Sequence, residues 1–358
     1  MRRYYSGITI FKLAGSLLVL LAHVMYFRYV EFMPNQQMQF VLLILRVIVP
    51  CFYVVAGFLA YKGWVHAANS RQYVRKYLLR IVWMYGFFCL IFIAEFIVPE
   101  LISKGLSLPN LFLQAKILFM TVFLNGPFVQ LWFIPPLIFS ILVCYWFYEK
   151  KYVRLAVILG LLGFVVSQFV SGTLMTALAP AVGSTPITNP TYLHYLDLFV
   201  TRYFGYGFTF VLAGVILAKY EDKFVQSKIW PLLIPSVVLT LVETLLLLRF
   251  AQWSLEYKLA FSILPNTILL FYGVLHIKSQ AIQSYHKVIN LFSIVTFCGH
   301  VLFMKLNLLL LNWDTATMTI SQDFVFLFLT FFECLAVTYL FTFRAKYFAA
   351  KQARNLSS

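Results

Sequence analysis

Ten hydrophobic runs, at about 8–27, 38–61, 78–98, 129–148, 152–172, 199–218, 229–249, 258–277, 289–311 and 323–343, are each long enough to cross a bilayer as a helix. A lipid core offers no partner to free backbone N–H and C=O groups, so the chain is expected to be an all-α polytopic membrane protein with about ten transmembrane helices. Its 358 residues would suggest two or three soluble domains on length alone, but 62% hydrophobic residues against 11% charged ones exclude that reading. Arg2 and Arg3 ahead of the first run resemble the start of a signal peptide. No small-residue cleavage site follows and the run is of full spanning length, which predicts a retained first helix.

Charge tests the number of spans, because loops on the cytoplasmic side carry the excess of Lys and Arg. With the N-terminus in the cytoplasm and ten crossings, 19 basic residues fall inside and five outside. Both termini are therefore expected in the cytoplasm, with residues 1–345 as a single transmembrane domain and 346–358 as a short basic cytoplasmic tail. The same asymmetry accounts for the net charge of +16, so membrane lipid is an expected partner and nucleic acid is not. Cys51, Cys89, Cys144, Cys298 and Cys334 all lie inside apolar runs, where they read as small buried hydrophobes. No metal site is expected.

The remaining four of the 28 basic residues, Lys12, Arg46, Arg202 and Lys305, lie within spans. Lys12 shares the first span with His23. At about 100° per residue their eleven-residue separation comes to about 1,100°, three turns plus about 20°, so both leave one face of the helix roughly 16 Å apart. A cation and an imidazole on one stripe of a membrane helix read as lining a polar cavity rather than facing lipid. Followed through the topology, Arg46, Arg202, Lys305, His23 and His300 all fall in the outer half of the membrane and are expected to surround one site. For Arg202 the competing reading is a side chain that snorkels to the interface. Glu95, Glu243 and Glu333 are candidate partners for the buried cations.

Between the third and fourth spans, Leu111 to Leu124 is apolar but too short to cross comfortably, which predicts an interfacial or re-entrant helix. Gly126 and Pro127 then break the chain before Gln130–Pro135, where Trp132 reads as an interfacial anchor followed by a helix kinked at Pro135 and Pro136. Ser171 to Asp197, rich in Gly, Pro, Thr and Ala and without Lys or Arg, reads as an outer lid. No internal repeat, phosphate-binding loop, nucleophile elbow, His-Glu-x-x-His pair or dinucleotide fingerprint is present.

Several of these pieces together resemble the integral-membrane acyltransferase 3 family. The family's helix 1 carries a basic residue, ten intervening positions and a histidine, and Lys12 to His23 has that spacing, with Lys for the more usual Arg. Ala56-Gly57-Phe58-Leu59 is similar to its Ser-Gly-Phe-Leu tetrapeptide. Arg75-Lys76-Tyr77-Leu78-Leu79-Arg80-Ile81 resembles the basic start of its helix 3, and Gln130-Leu131-Trp132-Phe133-Ile134 its His-Leu-Trp-Phe-Leu segment. Arg202 to Phe208, with Gly214 beyond, resembles its helix 6, and Phe297-Cys298-Gly299-His300 its late Tyr-x-x-His.

The resemblance covers nearly the whole chain and implies a single transmembrane acyltransferase domain in the bacterial cytoplasmic (inner) membrane. It implies O-acylation, with acetyl-CoA as donor substrate, no permanently bound cofactor, and a sugar hydroxyl of a lipid-linked or surface glycan such as lipopolysaccharide O-antigen as acceptor. Larger members append a hydrolase-like domain that passes the acyl group on; this chain is expected to complete transfer itself or hand the group to another protein. The implied catalytic group is His23, with Lys12 and His300. Arg46, Arg202, Lys305 and Trp132 are expected to stabilise the oxyanion or bind the acceptor, and Arg71, Arg75, Lys76 and Arg80 to hold the donor's phosphates. The rival reading is a transporter or flippase of envelope glycans or small anions, which buried His, Lys, Arg and Glu would also suit.

Overall fold

The computed structural model describes residues 4–26, 46–178, 191–250, 259–315 and 317–357. Among these the regular structure is helical, and the one β contact is an isolated bridge between Gly172 and Leu259. The principal helices are α1 Ser6–Leu21, α2 Ile48–Val65, α3 Ser70–Phe92, α4 Leu108–Met120, α5 Ile134–Glu149, α6 Val153–Ser171, α7 Thr209–Lys219, α8 Trp230–Phe250, α9 Ile263–His276, α10 Gln280–Leu311 and α11 Ile320–Ser357. Ten helical stretches among the described residues are long and apolar enough to cross a membrane, so the chain is an all-α, multi-pass membrane protein.

The ten are not quite the ten expected from hydropathy. The run 258–277 contains α9, only 14 residues, or roughly 21 Å against a hydrocarbon core of about 30 Å. Glu243, two-thirds of the way along α8, supplies the reason. Its carboxylate accepts hydrogen bonds from the backbone N–H groups of Phe261 and Ser262 at 2.9 Å each, from Ser262 Oγ at 2.6 Å and from the Thr173 hydroxyl. The backbone entering α9 is thus satisfied by a side chain of another helix, which lets regular structure begin late. Conversely, Leu111–Leu124 lies in a continuous helical stretch of 18 residues, Leu108–Asn125, because a π turn at Thr121–Asn125 extends α4. Two amides of α4 face inward while Lys116 is exposed: buried Gln114 donates to buried Asn110, whose own amide donates to the Gly105 carbonyl at 2.7 Å.

Pro135 and Pro136 open α5 instead of kinking it; in the first turn a missing N–H has no intrahelical partner to lose. α11 runs on to Ser357 and so takes in most of the segment expected as a basic tail. Of the expected outer lid, 179–190 lies outside the described residues, as do Arg2, Arg3, Arg28, Lys258 and the first part of the second expected span.

The chain forms two compact units, Met1–Pro34 with Val274–Ser358, and Asn35–Gly273. In the first, α1 packs on α10 and α10 on α11. Gly7 lets α1 approach so closely that a methyl there would overlap the Val274 carbonyl, and the buried Ser6 hydroxyl donates to Ile277 O at 2.8 Å while accepting from Ser279 N at 3.0 Å. Leu20, Val24, Met318 and Phe326 form an apolar core around the far end of α1. In the second unit α2 and α7 cross in contact: a methyl on Gly57 would overlap the Val211 carbonyl, and one on Gly214 the Val54 carbonyl. Small residues permit that approach, which gains dispersion contacts lipid cannot offer.

Candidate active site

The first unit holds an imidazole pair. His23 sits in a π turn, Ala22–Tyr26, that continues α1, and its ring meets that of His300 on α10 edge to face, with centroids 5.0 Å apart. Each Nδ1 lies against the carbonyl oxygen one turn back on its own helix, His23 on Val19 at 2.9 Å and His300 on Thr296 at 2.7 Å. A carbonyl only accepts, so Nδ1 carries the proton in each neutral ring and Nε2 keeps the lone pair a base needs. His300 is 0% exposed and its Nε2 has no hydrogen-bond partner among the described residues, whereas His23 is half-buried.

His300 belongs to a buried polar stripe. Ser293, His300 and Asn307 recur every seven residues, about 20° short of two full turns per step, and Thr296 lies one turn back from His300; all four are buried. Asn307 donates to Glu333 on α11 at 2.9 Å and to Thr330 at 3.3 Å. Glu333 is therefore engaged by an amide, and Glu243 by the start of α9. Glu95 is exposed, so neither a buried cation partner nor a cavity wall follows from it. Lys12, half-buried on α1, makes no ion pair with a described residue. Lys305, also half-buried, stands about 140° round α10 from His300 and so leaves a different face.

The second unit gathers Arg202 and Trp132. Thr121–Asn125 ends at Gly126, whose φ of 78° turns the chain out of the helix and leaves the last carbonyls without amide partners. Side chains take them in order: Tyr85 donates to Val122 O at 2.7 Å, Tyr203 to Phe123 O at 2.5 Å, and Arg202 Nη1 to Leu124 O, with Asn125 Oδ1 at 3.5 Å. A cation at the negative end of a helix is favourable, so Arg202 caps the end of this helix. Its guanidinium lies over the Trp132 ring at 5.1 Å, and Tyr206 meets that ring edge-on at 5.7 Å. Trp132 is thus a half-buried platform for a cation. Nε and Nη2 of Arg202 make no hydrogen bond to a described residue and remain able to donate. Arg46, half-buried just before α2, is within electrostatic reach of Tyr206. Tyr53 donates to the Phe133 carbonyl at 3.0 Å, fixing the segment that carries Trp132.

Arg71, Arg75, Lys76 and Arg80 are all exposed on α3, whose packed face is marked by Val74, Leu78, Tyr85 and Phe88. Helical geometry divides them into two stripes about 140° apart. Arg71 and Arg75 flank the packed face; Lys76 and Arg80 point away from it, in line with exposed Trp83 and Phe87. Tyr85, Tyr203 and Tyr206 were not singled out by the sequence, although the last two lie inside the segment Arg202–Phe208.

A multi-pass helical bundle with a base-competent imidazole pair among its membrane helices has the makings of a membrane-embedded group-transfer enzyme. The model of the acyltransferase 3 family, an acyltransferase domain, matches residues 5–341, and the chain belongs to that family. No curated protein and no solved structure matches it.

Proposed function

We propose that this membrane acyltransferase is an O-acetyltransferase, moving the acetyl group of acetyl-CoA to a sugar hydroxyl of an envelope polysaccharide, lipopolysaccharide O-antigen being the favoured acceptor, in the bacterial inner membrane with both termini cytoplasmic. The observation that carries the reading is His23: half-buried, with Nδ1 committed to Val19 and Nε2 left basic, in a chain of the acyltransferase family. In the reaction the sugar oxygen attacks the thioester carbonyl, the C–O bond forms and the C–S bond breaks. The hydroxyl proton passes to His23 Nε2 and leaves with the coenzyme A thiolate. The remaining donors of Arg202 and the charge of Arg46 suit an oxyanion or sugar hydroxyls, and Trp132 offers a ring face to a sugar. Lys12 and Lys305 contribute positive charge within the bundle of the first unit. The exposed basic residues of α3 suit the phosphates of the donor, and a lipid-linked or surface glycan is the acceptor.

His23→Gln keeps polarity and approximate volume but cannot take a proton near neutral pH. At equal membrane abundance it is expected to lower O-acetylation of the envelope polysaccharide by about 10²–10⁴-fold while the glycan is still exported. Loss of export with acetylation of the remaining glycan intact would favour transport of glycan instead.

A further inference from the structure

We propose that a groove between α5, α6 and α7 seats an acyl chain of an anionic phospholipid, with the headgroup phosphate held at Lys219. Three of the candidate spans, Val129–Glu149, Val153–Ser171 and Leu193–Lys219, contribute to the groove at one end of the second unit. Trp146, Tyr152 and Tyr220 are exposed at that end, as amphipathic aromatic side chains are at the headgroup level of a bilayer. Cys144 and Phe147 of α5, Ala156 of α6, and Leu212 and Val215 of α7 are buried and line the groove, while exposed Lys219 and Tyr220 stand at its mouth. Such walls offer water almost no hydrogen-bond partners, whereas a hydrocarbon chain needs none. From Leu212 to Lys219 the groove follows α7 for roughly 10 Å, a length that takes the headgroup-proximal part of one chain.

Charge selects the headgroup. Lys219 Nζ lies over the Tyr220 ring, 5.4 Å from its centre, and makes no ion pair with a described residue. The same holds for Lys150, Lys151 and Arg154, all exposed on either side of Val153 at the groove's edge. Glu149, Glu221 and Asp222 are the acids of these stretches. Buried Glu221 is taken up by Lys62 at 2.7 Å, Glu149 accepts from the Ser70 hydroxyl at 3.3 Å, and Asp222 is exposed. The asymmetry of charge across a membrane calls for lysines in a loop, but not for an apolar groove that ends at one. A basic mouth on a cleft between membrane helices is the arrangement that holds an anionic headgroup.

The test offers the full-length protein in detergent equal amounts of phosphatidylglycerol and phosphatidylethanolamine with identical oleoyl chains, and native mass spectrometry counts the lipid retained. The expected result is a tightly held phosphatidylglycerol on each chain. A basic residue near a membrane surface strengthens such binding about fivefold, so Lys219→Gln should weaken retention roughly fivefold and the double variant Lys151→Gln/Lys219→Gln roughly twenty-five-fold. Ile216→Trp enlarges a half-buried side chain of the groove wall and leaves every charge in place; it should expel the chain and with it the bound phosphatidylglycerol. Equal retention of the two lipids by the wild-type protein overturns the proposal. So does an unchanged preference in the double variant, which leaves the lysines with a topological role only. Full retention by Ile216→Trp removes the groove as the seat. Displacement of the bound lipid by excess acetyl-CoA also overturns the proposal, by giving the mouth to the donor's phosphates. If Ile216→Trp does not accumulate, Val153→Trp at the groove's edge takes its place, and the two surface lysine variants decide on charge independently of either.

Discussion

Glu243 and His300 are both almost completely enclosed, 4% and 0% exposed, yet their surroundings are opposite. Glu243 receives two backbone N–H groups and two hydroxyls. His300 has one nitrogen engaged and the other without a hydrogen-bond partner among the described residues. A buried polar group surrounded by partners has its whole interaction energy invested in the resting fold, so removing it attacks the fold. A buried group held one partner short has interaction energy still to gain, which a chemical step can release. Burial alone thus does not mark a functional residue in a membrane bundle.

The largest expected effect on this comparison comes from Glu243→Ala. It strands the N–H groups of Phe261 and Ser262 and should cost about 3–5 kcal/mol, read as a drop in the thermal unfolding midpoint and in membrane abundance. Turnover per folded molecule should stay near wild type; a fall in turnover at unchanged stability would erase the contrast with His300. Gly57→Ala sets the scale for a pure packing defect of similar depth, since the new methyl meets the Val211 carbonyl and no polar group changes hands. It should destabilise by on the order of 1–3 kcal/mol in the same unfolding measurement. The smallest effect belongs to groups that water already satisfies. Arg75→Ala, on the stripe of α3 beside the packed face, should raise the KM for acetyl-CoA roughly tenfold with stability unchanged, and Arg80→Ala, on the outward stripe, by less. Equal and negligible shifts for both would leave the basic stripes with a topological role only.

The helical class was legible because it rests on a short-range rule, hydropathy over about twenty residues, whereas the stripe expected for Lys12 and His23 rests on about 100° per residue along one helix and says nothing of what the two face. What the sequence left dark depends on chain segments far apart. Glu243 reads as a lone acid in an apolar run, and only the fold brings Thr173, 70 residues earlier, and Ser262, 19 later, to its carboxylate. Arg202 looks like a stray cation until the end of α4 is seen to leave Leu124 O without an amide. Hydropathy likewise cannot show that the chain before α9 is unwound, since Leu259, Ala260 and Phe261 are as apolar as the helix itself. One signal was present and unread: Ser293, His300 and Asn307, seven residues apart in a hydrophobic stretch, mark the polar face of α10.

The crossing of α2 and α7 has a mechanical meaning. The Val54 carbonyl meets Gly214 and the Val211 carbonyl meets Gly57, while Lys62 and Glu221, at the C-terminal ends of the two segments, pair at 2.7 Å, so the two helices run parallel and touch backbone to backbone at one crossing. Each carbonyl lies against the glycine of the other helix, so sliding one helix along its partner drives a carbonyl into the neighbouring chain. With the Lys62–Glu221 ion pair closing its far end, this crossing is the tightest backbone seam of the second unit's helix pair α2 and α7.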